Sequence, residues 1–592
     1  WEQARNCMFD IQNSFQRKFY MMQTPWFSYM VSFPFIRKAE WTSKFGKDSA
    51  AFDEIIFKDD ISSLAMLKHK VIERAIPPGS DKPVNNPIDA KRIKHLRAVF
   101  GDSAVLNTKR KARRVDEIKL GAELDRLEIM DKHLSEEQQE LSNIKPDGKP
   151  RLIRGVAGSG KTVVLANIVA TYIKSIRRRG IQDELGFNGG NKAPFKTAVV
   201  CYNKTLVPFI KEKIALSYQN QTGQELDFDG SLHVTHYDGF IKDILVVPGI
   251  VGNEIWSYTA MEEKTEYAKK SMAGYMAKGV DLDKFPGYDA IFIDEGQDLS
   301  EGSFIFFKDL LKQYENAKNE NIIIFYDDAQ NIYGNTRPNW STLGIGIAGR
   351  SKVMKKCFRN TVPIITLAYN VLLGKKEDEG IKSESKQFAD FDYLKNTGLV
   401  TEVNGIFEVS FAEREGPMPE VRGFDDFDSE VSWICETVKD LIENQHVRPD
   451  DIAIMSYKRR NCDKIADSLE SVLGSSEKSC HIVRAHHHEE KNSLIFREDC
   501  VTVSTIHGAK GYDANIVFLA GIHELSTENM PNYDQTERSR HETAARAICY
   551  VGATRAKYML HISGVKSEKE SLLDEVERKH IFLQDRDIYK KN

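Results

Sequence analysis

The sequence predicts an α/β protein built on parallel sheets. Three observations predict it. Short apolar runs recur along the chain, helical patterns alternate with them, and a glycine-rich loop links one such run to one such helix. The runs are residues 198–202, 290–294, 322–326, 452–456, 501–504 and 516–520. Each is four or five mostly apolar residues, as in strands buried on both faces. Helical periodicity over 163–178 and 430–443 fills the intervals, and this alternation argues for crossover units rather than hairpins.

The glycine-rich loop carries the first chemistry. Gly155-Val-Ala-Gly158-Ser159-Gly160-Lys161-Thr162 fits GxxxxGK[ST], with apolar Leu152 and Ile153 before it and a helical pattern after it. Glycines let backbone N–H groups turn toward a β-phosphate, and the helix N-terminus adds its positive dipole end. Lys161 is expected to pair with the β/γ-phosphates and Thr162 to ligate Mg²⁺. The run 290–294 ends in two carboxylates. Asp294 at the strand end suits a second Mg²⁺ ligand, and Glu295 suits polarisation of an attacking water. Together these predict hydrolysis of a nucleotide, with Mg²⁺ as its cofactor.

Composition narrows the classes. The chain has 592 residues, which allows about three to five domains; its 41% hydrophobic and 29% charged residues are those of a globular protein. A net charge of −4 excludes a uniformly basic polyelectrolyte but leaves room for a local basic groove. Basic runs at Lys109–Arg114 and Arg177–Arg179 read first as solvated helix faces. No apolar run approaches the ~18 residues of a membrane span and no secretory pattern opens the chain, so a cytoplasmic protein without membrane partners is expected. No pair of the eight cysteines has CxxC spacing, and they read as reduced thiols. Pro-rich stretches at 76–86 and 145–150 mark linkers, and 375–387 is a third soft region.

Several stretches, in order, resemble the motifs of superfamily 1A helicases of the UvrD/Rep type. Asp294-Glu-Gly-Gln297-Asp298 resembles motif II. Leu134-Ser-Glu-Glu-Gln138 resembles the adenine-reading Q motif. Tyr202-Asn203-Lys-Thr-Leu206 and Thr235-His236 resemble motifs Ia and Ib. Asp327-Asp-Ala-Gln330-Asn-Ile-Tyr333 resembles motif III, and Cys357-Phe358-Arg359-Asn motif IV. Ser504-Thr505-Ile-His507-Gly-Ala-Lys510-Gly511 and Tyr550-Val-Gly-Ala-Thr-Arg555-Ala resemble motifs V and VI. The resemblance covers about residues 134–565.

The resemblance implies two RecA-like domains with ATP in the cleft between them. It places Arg359 and Arg555 across the cleft from the phosphate loop, where closure would bring them to the γ-phosphate. Gln138 would read adenine, Phe358 would stack on it where the family usually has Tyr, and Asp513, where the family usually has Glu, would approach the ribose. Gln297 and Gln330 would couple the γ-phosphate to the nucleic-acid groove. Tyr202, Asn203, Thr235, His236, Tyr333, Thr505, His507 and Lys510 would line that groove. The sequence departs from the family at Val163, where an adenine-stacking Arg is common, and at Asn335, where an aromatic is common. Trp340 could substitute for the latter or belong to the core.

The expected organisation is a partial N-terminal domain over 1–100, a basic helical connector over 101–133, a first RecA-like domain over 134–350 with a small insert near 240–288, and a second over 351–592. Arg359 and Thr505 lie 146 positions apart, leaving little room for a full accessory subdomain. Glu2-Gln3-Ala4, Trp26, Ser32-Phe-Pro-Phe-Ile36 and the stretch 52–59 resemble the later part of a nuclease-related (NERD-type) α+β domain. Its metal-binding carboxylates would lie upstream of Trp1, so a natural beginning before Trp1 and a lack of nuclease activity in this chain are expected. Glu117-Ile-Lys119 lies outside that domain and reads as a decoy. His486-His487-His488 reads as an exposed loop, since consecutive histidines in regular structure cannot all face one metal.

The expected activity is ATP-dependent translocation on single-stranded DNA or 3′→5′ unwinding of a tailed duplex. The alternative is a DNA-sensing ATPase switch that scaffolds a partner nuclease in repair or phage defence without unwinding. A degradative nuclease–helicase is the third reading, which needs the upstream residues.

Overall fold

The computed structural model describes residues 8–9, 12, 29–33, 35–46, 54–74, 119–130, 134–184, 196–228, 230–277, 287–312, 318–327, 338–357, 359–373, 395–396, 398, 400–403, 406–410, 412, 414–474, 481–487, 493, 496–525, 535–568 and 571–585. It divides into two units. The first comprises Trp1–Asn107 with Leu216–Leu226, and the second the remainder.

In the first unit, β1 (Val31–Phe33), α1 (Lys38–Phe45), β2 (Ile55–Phe57) and α2 (Leu64–Arg74) follow one another, and β1 pairs in parallel with β2. Trp41 of α1 covers this ribbon, 5.4 Å from Phe33 and 5.8 Å from Phe57 between ring centroids. Asp60 accepts from Phe57 N at 2.9 Å and pairs with Lys38 at 2.5 Å, which closes the β2 turn.

The second unit holds two six-stranded parallel sheets. The first sheet's chain order is α3 (Leu120–Met130), α4 (Glu136–Ser142), β3 (Arg151–Gly155), α5 (Lys161–Glu184), β4 (Thr197–Cys201), α6 (Leu206–Thr222), β5 (Leu232–His236), α7 (Tyr237–Ile241), α8 (Met261–Ala277), β6 (Ala290–Ile293), α9 (Glu301–Asp309), β7 (Ile322–Tyr326) and β8 (Ser351–Met354). Its spatial order is β5-β4-β6-β7-β3-β8. β8 lies past residue 350, so the first sheet reaches further along the chain than the sequence boundary suggests. Phe240, Ile293, Phe304 and Phe307 are among the fully buried side chains of this lobe's core.

The second sheet follows. α10 (Val362–Leu372) precedes an antiparallel hairpin of β9 (Val400–Val403) and β10 (Ile406–Val409). Then come β11 (Glu420–Phe424), α11 (Phe427–Glu443), β12 (Ile452–Ser456), α12 (Arg459–Leu473), β13 (His481–Arg484), β14 (Cys500–Thr505), β15 (Ala514–Ala520), α13 (Gln535–Ala553), β16 (Ala556–Val565) and α14 (Leu572–Asp585). The order is β11-β16-β15-β12-β14-β13. The described residues between Arg359 and Thr505 are taken up by this sheet's own elements and the one hairpin.

The central strands explain the apolar runs. β4, β6, β7, β12 and β15 are buried at every residue, because helices cover both faces. α3 falls in the stretch read as a connector, but it docks on the second lobe. Leu124 joins the core around Val438 and Ile454. Tyr558 donates to Glu123 at 2.7 Å, and Arg448 donates to Asp125 at 3.0 Å. A Cβ at Gly121 would lie 2.1 Å from the carbonyl oxygen of His446, so only glycine permits this approach.

Glu430 on α11 is fully buried. It accepts from Gly521 N at 2.8 Å and from Ser563 Oγ at 2.6 Å, which joins the helix to the ends of β15 and β16. Burial raises its carboxyl above the usual range against these hydrogen bonds. The folded chain therefore holds this proton at pH values where the unfolded chain has released it, and the contribution of Glu430 to stability falls as pH rises through that window. Glu430→Gln is expected to be neutral near pH 4.5 and stabilising near pH 8. Thermal midpoints measured across pH check this, and an offset that does not change with pH would refute it.

No described helix is long and apolar enough to cross a membrane. The described cysteines, Cys201 and Cys357 among them, are buried thiols.

Candidate nucleotide site and nucleic-acid face

The site begins where β3 ends. Gly158 and Gly160 take φ of +72° and +86°, which the loop needs in order to turn its N–H groups inward before α5. Glycine at 158 is also a packing requirement. A Cβ there would meet Asn360 Oδ1 at 2.3 Å and Cys357 Sγ at 2.8 Å, both on the segment that leads into the second lobe. α4 brings up the other side. Ser135 caps it, Gln138 completes the capping box, and Gln138 Nε2 donates to the carbonyl oxygen of Ser159 at 2.7 Å. Gln138 thus rests against the phosphate loop in this conformation.

Lys161 is buried. Its ammonium donates to the carbonyls of Gly155 (2.9 Å) and Val156 (3.3 Å) and pairs with Asp327 at 2.9 Å. Asp327 stands just past β7, the strand next to β3 in the sheet, which is why it reaches the lysine.

Asp294 and Glu295 stand at the end of β6. Thr162 Oγ1 donates to Asp294 Oδ2 at 2.9 Å, so the two expected Mg²⁺ ligands do meet. Burial raises Asp294 to about 7, and the neighbouring Glu295 carboxylate adds to the rise. A cation at this pair would offset the crowding of negative charge, and the donor set of hydroxyl and carboxylate oxygens suits a hard ion. Glu295 takes φ of +51°, a left-handed geometry uncommon for a non-glycine residue. Burial pushes its carboxyl up, but the ammoniums of Lys510 and Lys161 outweigh this and hold it below the usual range. It is therefore poised as an ionised base. Gln297 donates to Glu295 and accepts from Asp327 N at 3.0 Å, linking the carboxylate to the end of β7.

Across the cleft, Arg359 pairs with Asp513, and Arg555 Nη1 lies 3.4 Å from the other oxygen of the same carboxylate. Asp513, expected near the ribose, here bridges the two arginines. Asn360 fixes their spacing. Its Nδ2 donates to the carbonyls of Thr554 (2.8 Å) and Ala556 (2.6 Å), so the segment with Arg359 is tied to the turn with Arg555.

The residues expected in a nucleic-acid groove do not all face outward. Asn203 Nδ2 donates to His507 O at 2.9 Å, Thr205 Oγ1 donates to Gly508 O at 2.7 Å, and Tyr512 OH donates to Thr205 O at 2.6 Å. These bonds close the first lobe onto the second. Lys510 is fully buried on Asp298 at 2.6 and 2.8 Å, so it serves as an interlobe ion pair in this conformation and presents no charge to a phosphate. Burial raises the Asp298 carboxyl to about 7 against the pull of that ammonium. Thr505 Oγ1 accepts from Gly508 N at 3.1 Å. Thr235 is buried, Tyr202 and His236 are half-buried, and burial lowers the His236 imidazole. Trp340 belongs to the core, edge-on to Phe304 at 5.0 Å and Tyr326 at 5.9 Å. Gln330, Tyr333 and Phe358 lie outside the described residues.

Sequence reasoning assigned no role to Asp298, Asn360, Thr205 or Tyr457. Asp298 and Asn360 sit inside the motif stretches, so position alone could have flagged them. Tyr457, just past β12, is 39% exposed with its ring 5.9 Å from His507, and a lone Tyr after a strand carries no sequence signal.

A phosphate loop and paired carboxylates on one parallel lobe, apposed to two arginines on another, define the two-lobed RecA-like phosphate-loop class. Two family descriptions match within it: "Schlafen group 3, DNA/RNA helicase domain" over residues 149–342, and "UvrD-like helicase C-terminal domain" over residues 476–567. These two stretches of the chain are thus similar to helicase domains, the second of them to the UvrD-like type. A curated relative, the "Probable DNA helicase II homolog" of Rickettsia felis (strain ATCC VR-1525 / URRWXCal2), is 30% identical over 159 residues. That match covers 23% of this chain and 24% of the relative, so the chain spans about a quarter of the relative's length. Among solved structures, the C-terminal domain of a possible DNA helicase from Lactobacillus plantarum WCFS1 overlays with a TM-score of 0.22 at 15% identity, covering 37% of this chain and 93% of that one. The DUF1998 helicase MrfA bound to DNA overlays with a TM-score of 0.36 at 13% identity, covering 82% and 57%.

Proposed function

We propose that this protein hydrolyses ATP with Mg²⁺ between its two lobes and uses the cycle to move 3′→5′ along single-stranded DNA, unwinding tailed duplexes. One observation carries the reading. The phosphate loop of the first lobe packs directly against the segment that presents Arg359, with Asn360 seated on Gly158 and bonded to the turn that presents Arg555.

In this proposal the residues of the site take distinct roles. The 155–162 loop and Lys161 hold the β- and γ-phosphates, the ammonium turning from Asp327 toward the anion. Thr162 and Asp294 hold the metal, which when bound neutralises phosphate oxygens. Glu295, kept ionised, takes the proton of the attacking water. Arg359 and Arg555, pre-positioned by Asp513, stabilise charge on the transferring group. The interlobe bonds from Asn203, Thr205 and Tyr512 lie at motifs Ia and V, so lobe closure and the nucleic-acid face share one set of contacts.

Single-stranded DNA is expected to raise ATP hydrolysis sharply in the intact protein, and Lys161→Ala or Glu295→Gln is expected to remove that activity. Hydrolysis at full rate without DNA would overturn the reading. In strand displacement, unwinding of a 3′-tailed but not a 5′-tailed duplex is the expected result. Stimulated hydrolysis without any unwinding would assign the DNA-sensing switch instead.

A further inference from the structure

The second lobe brings together three metal-ligating side chains that take no part in the nucleotide site. Asp463 lies on α12, and His486 and His487 follow β13. The sequence reading of an exposed histidine loop fails for His486, whose side chain is 1% exposed. Both imidazole Nε2 atoms lie 2.8 Å from the same oxygen, Asp463 Oδ1. The three ligand atoms all fall within 4.8 Å of one another, and among the described residues theirs is the one such cluster.

The hydrogen bonds specify the tautomer of His486. Its Nδ1 faces the carbonyl oxygen of Val503 at 3.4 Å, and a carbonyl can only accept. Nδ1 therefore carries the proton, and in the neutral ring Nε2 presents a lone pair toward a carboxylate oxygen. Two acceptors at 2.8 Å repel unless a proton or a cation lies between them. His487 directs a second Nε2 at the same oxygen, which its neutral Nε2–H tautomer can do, so protons alone would require an imidazolium at the buried His486. A backbone carbonyl that orients the far nitrogen is the usual support of a metal-bound histidine. The neighbouring cation does not fill the role. Arg484 Nη1 is 4.0 Å from Asp463 Oδ1, while its Nη2 is bound to Asp467 at 2.7 Å and Glu470 at 2.9 Å.

We propose that Asp463, His486 and His487 form a binding site for a zinc-type divalent cation that clamps α12 to the segment following β13. Two neutral imidazole nitrogens and one carboxylate oxygen are a ligand set that zinc accepts, with a further position left for water. Ligand atoms around a tetrahedral zinc are about 3.3 Å apart, given bonds of ~2.0 Å, so side-chain movements of less than an ångström suffice. The cation satisfies both Nε2 lone pairs and the carboxylate at once. Adjacent histidines can serve here because the chain leaves β13 in a turn, so the strand alternation that would point them to opposite faces no longer holds.

The test uses the full chain, stripped with a chelator and equilibrated with Zn²⁺ in excess Mg²⁺, with bound zinc measured by atomic spectroscopy. One tightly held zinc is expected in the wild type. His487→Ala and Asp463→Asn, at half-exposed positions, are each expected to weaken it at least about tenfold. Zn²⁺ should raise the thermal midpoint of the wild type and not that of the double variant. Circular dichroism checks that the variants fold. Absence of bound zinc in the wild type, or equal binding in the double variant, would overturn the proposal.

Discussion

Arg555→Ala is expected to lower DNA-stimulated ATP hydrolysis by about 10³–10⁵-fold, the usual effect of removing an arginine that stabilises a transferring phosphoryl group. The side chain is well placed for a role expressed only in the transition state. It is 5% exposed, its Nε donates to Val551 O at 3.0 Å, and its Nη1 lies 3.4 Å from Asp513. These contacts hold the guanidinium in place beside the Asp513 carboxylate. Because Arg359 shares the same carboxylate, Arg359→Ala should show a loss of the same kind. The double variant should fall well short of the product of the two losses, since the arginines act as a unit. Nucleotide affinity should change far less than turnover, because the loop and Lys161 supply ground-state binding. Single-turnover hydrolysis together with equilibrium nucleotide binding separates the two effects. A variant that loses affinity but keeps its turnover would show that Arg555 only binds.

The second large effect concerns the Lys510–Asp298 pair. Lys510→Met is expected to lower the urea midpoint by an amount corresponding to about 3–5 kcal/mol, because it strands a buried carboxylate. The side chains are 0% and 1% exposed, so water cannot take over the lost partner. Lys510→Met with Asp298→Asn should recover most of that loss, since no buried charge then remains. Stimulation by DNA should not recover, because the pair links the carboxylate segment of the first lobe to the 504–511 segment of the second. Urea unfolding and the ratio of stimulated to basal hydrolysis give the two readouts. If the double variant regains stability and full stimulation together, the pair is only a structural contact.

The strands legible in the sequence and those that were not differ by their place in the sheets. β4, β6, β7, β12, β14 and β15 are central, covered on both faces, and so read as continuous apolar runs. β5, β8, β11 and β13 are the four edges. Three of these, β8, β11 and β13, carry exposed and half-buried residues, as in Ser351–Met354 and Glu420–Phe424, so they carry no apolar run. β16 is central yet was missed for another reason. Its His561 is buried by stacking on Phe518 at 4.4 Å and by a 2.8 Å bond to Glu420, and a polar residue satisfied in that way breaks the apolar signal.

The candidate site divides along a similar line. Residue type and order determined the phosphate loop, the paired carboxylates and the arginines, because phosphate and metal chemistry admits few alternatives at Gly158, Lys161, Thr162, Asp294 and Glu295. Tertiary structure alone decided which charges meet. Asp513 turned from a ribose contact into a bridge between arginines. Lys510 turned from a groove cation into a buried partner of Asp298, and His486 from a loop residue into a buried ring facing Asp463. Each of these pairings spans between 23 and 212 positions of sequence. A pairing at that range depends on which strand ends the sheet order places side by side, and local sequence carries no record of that.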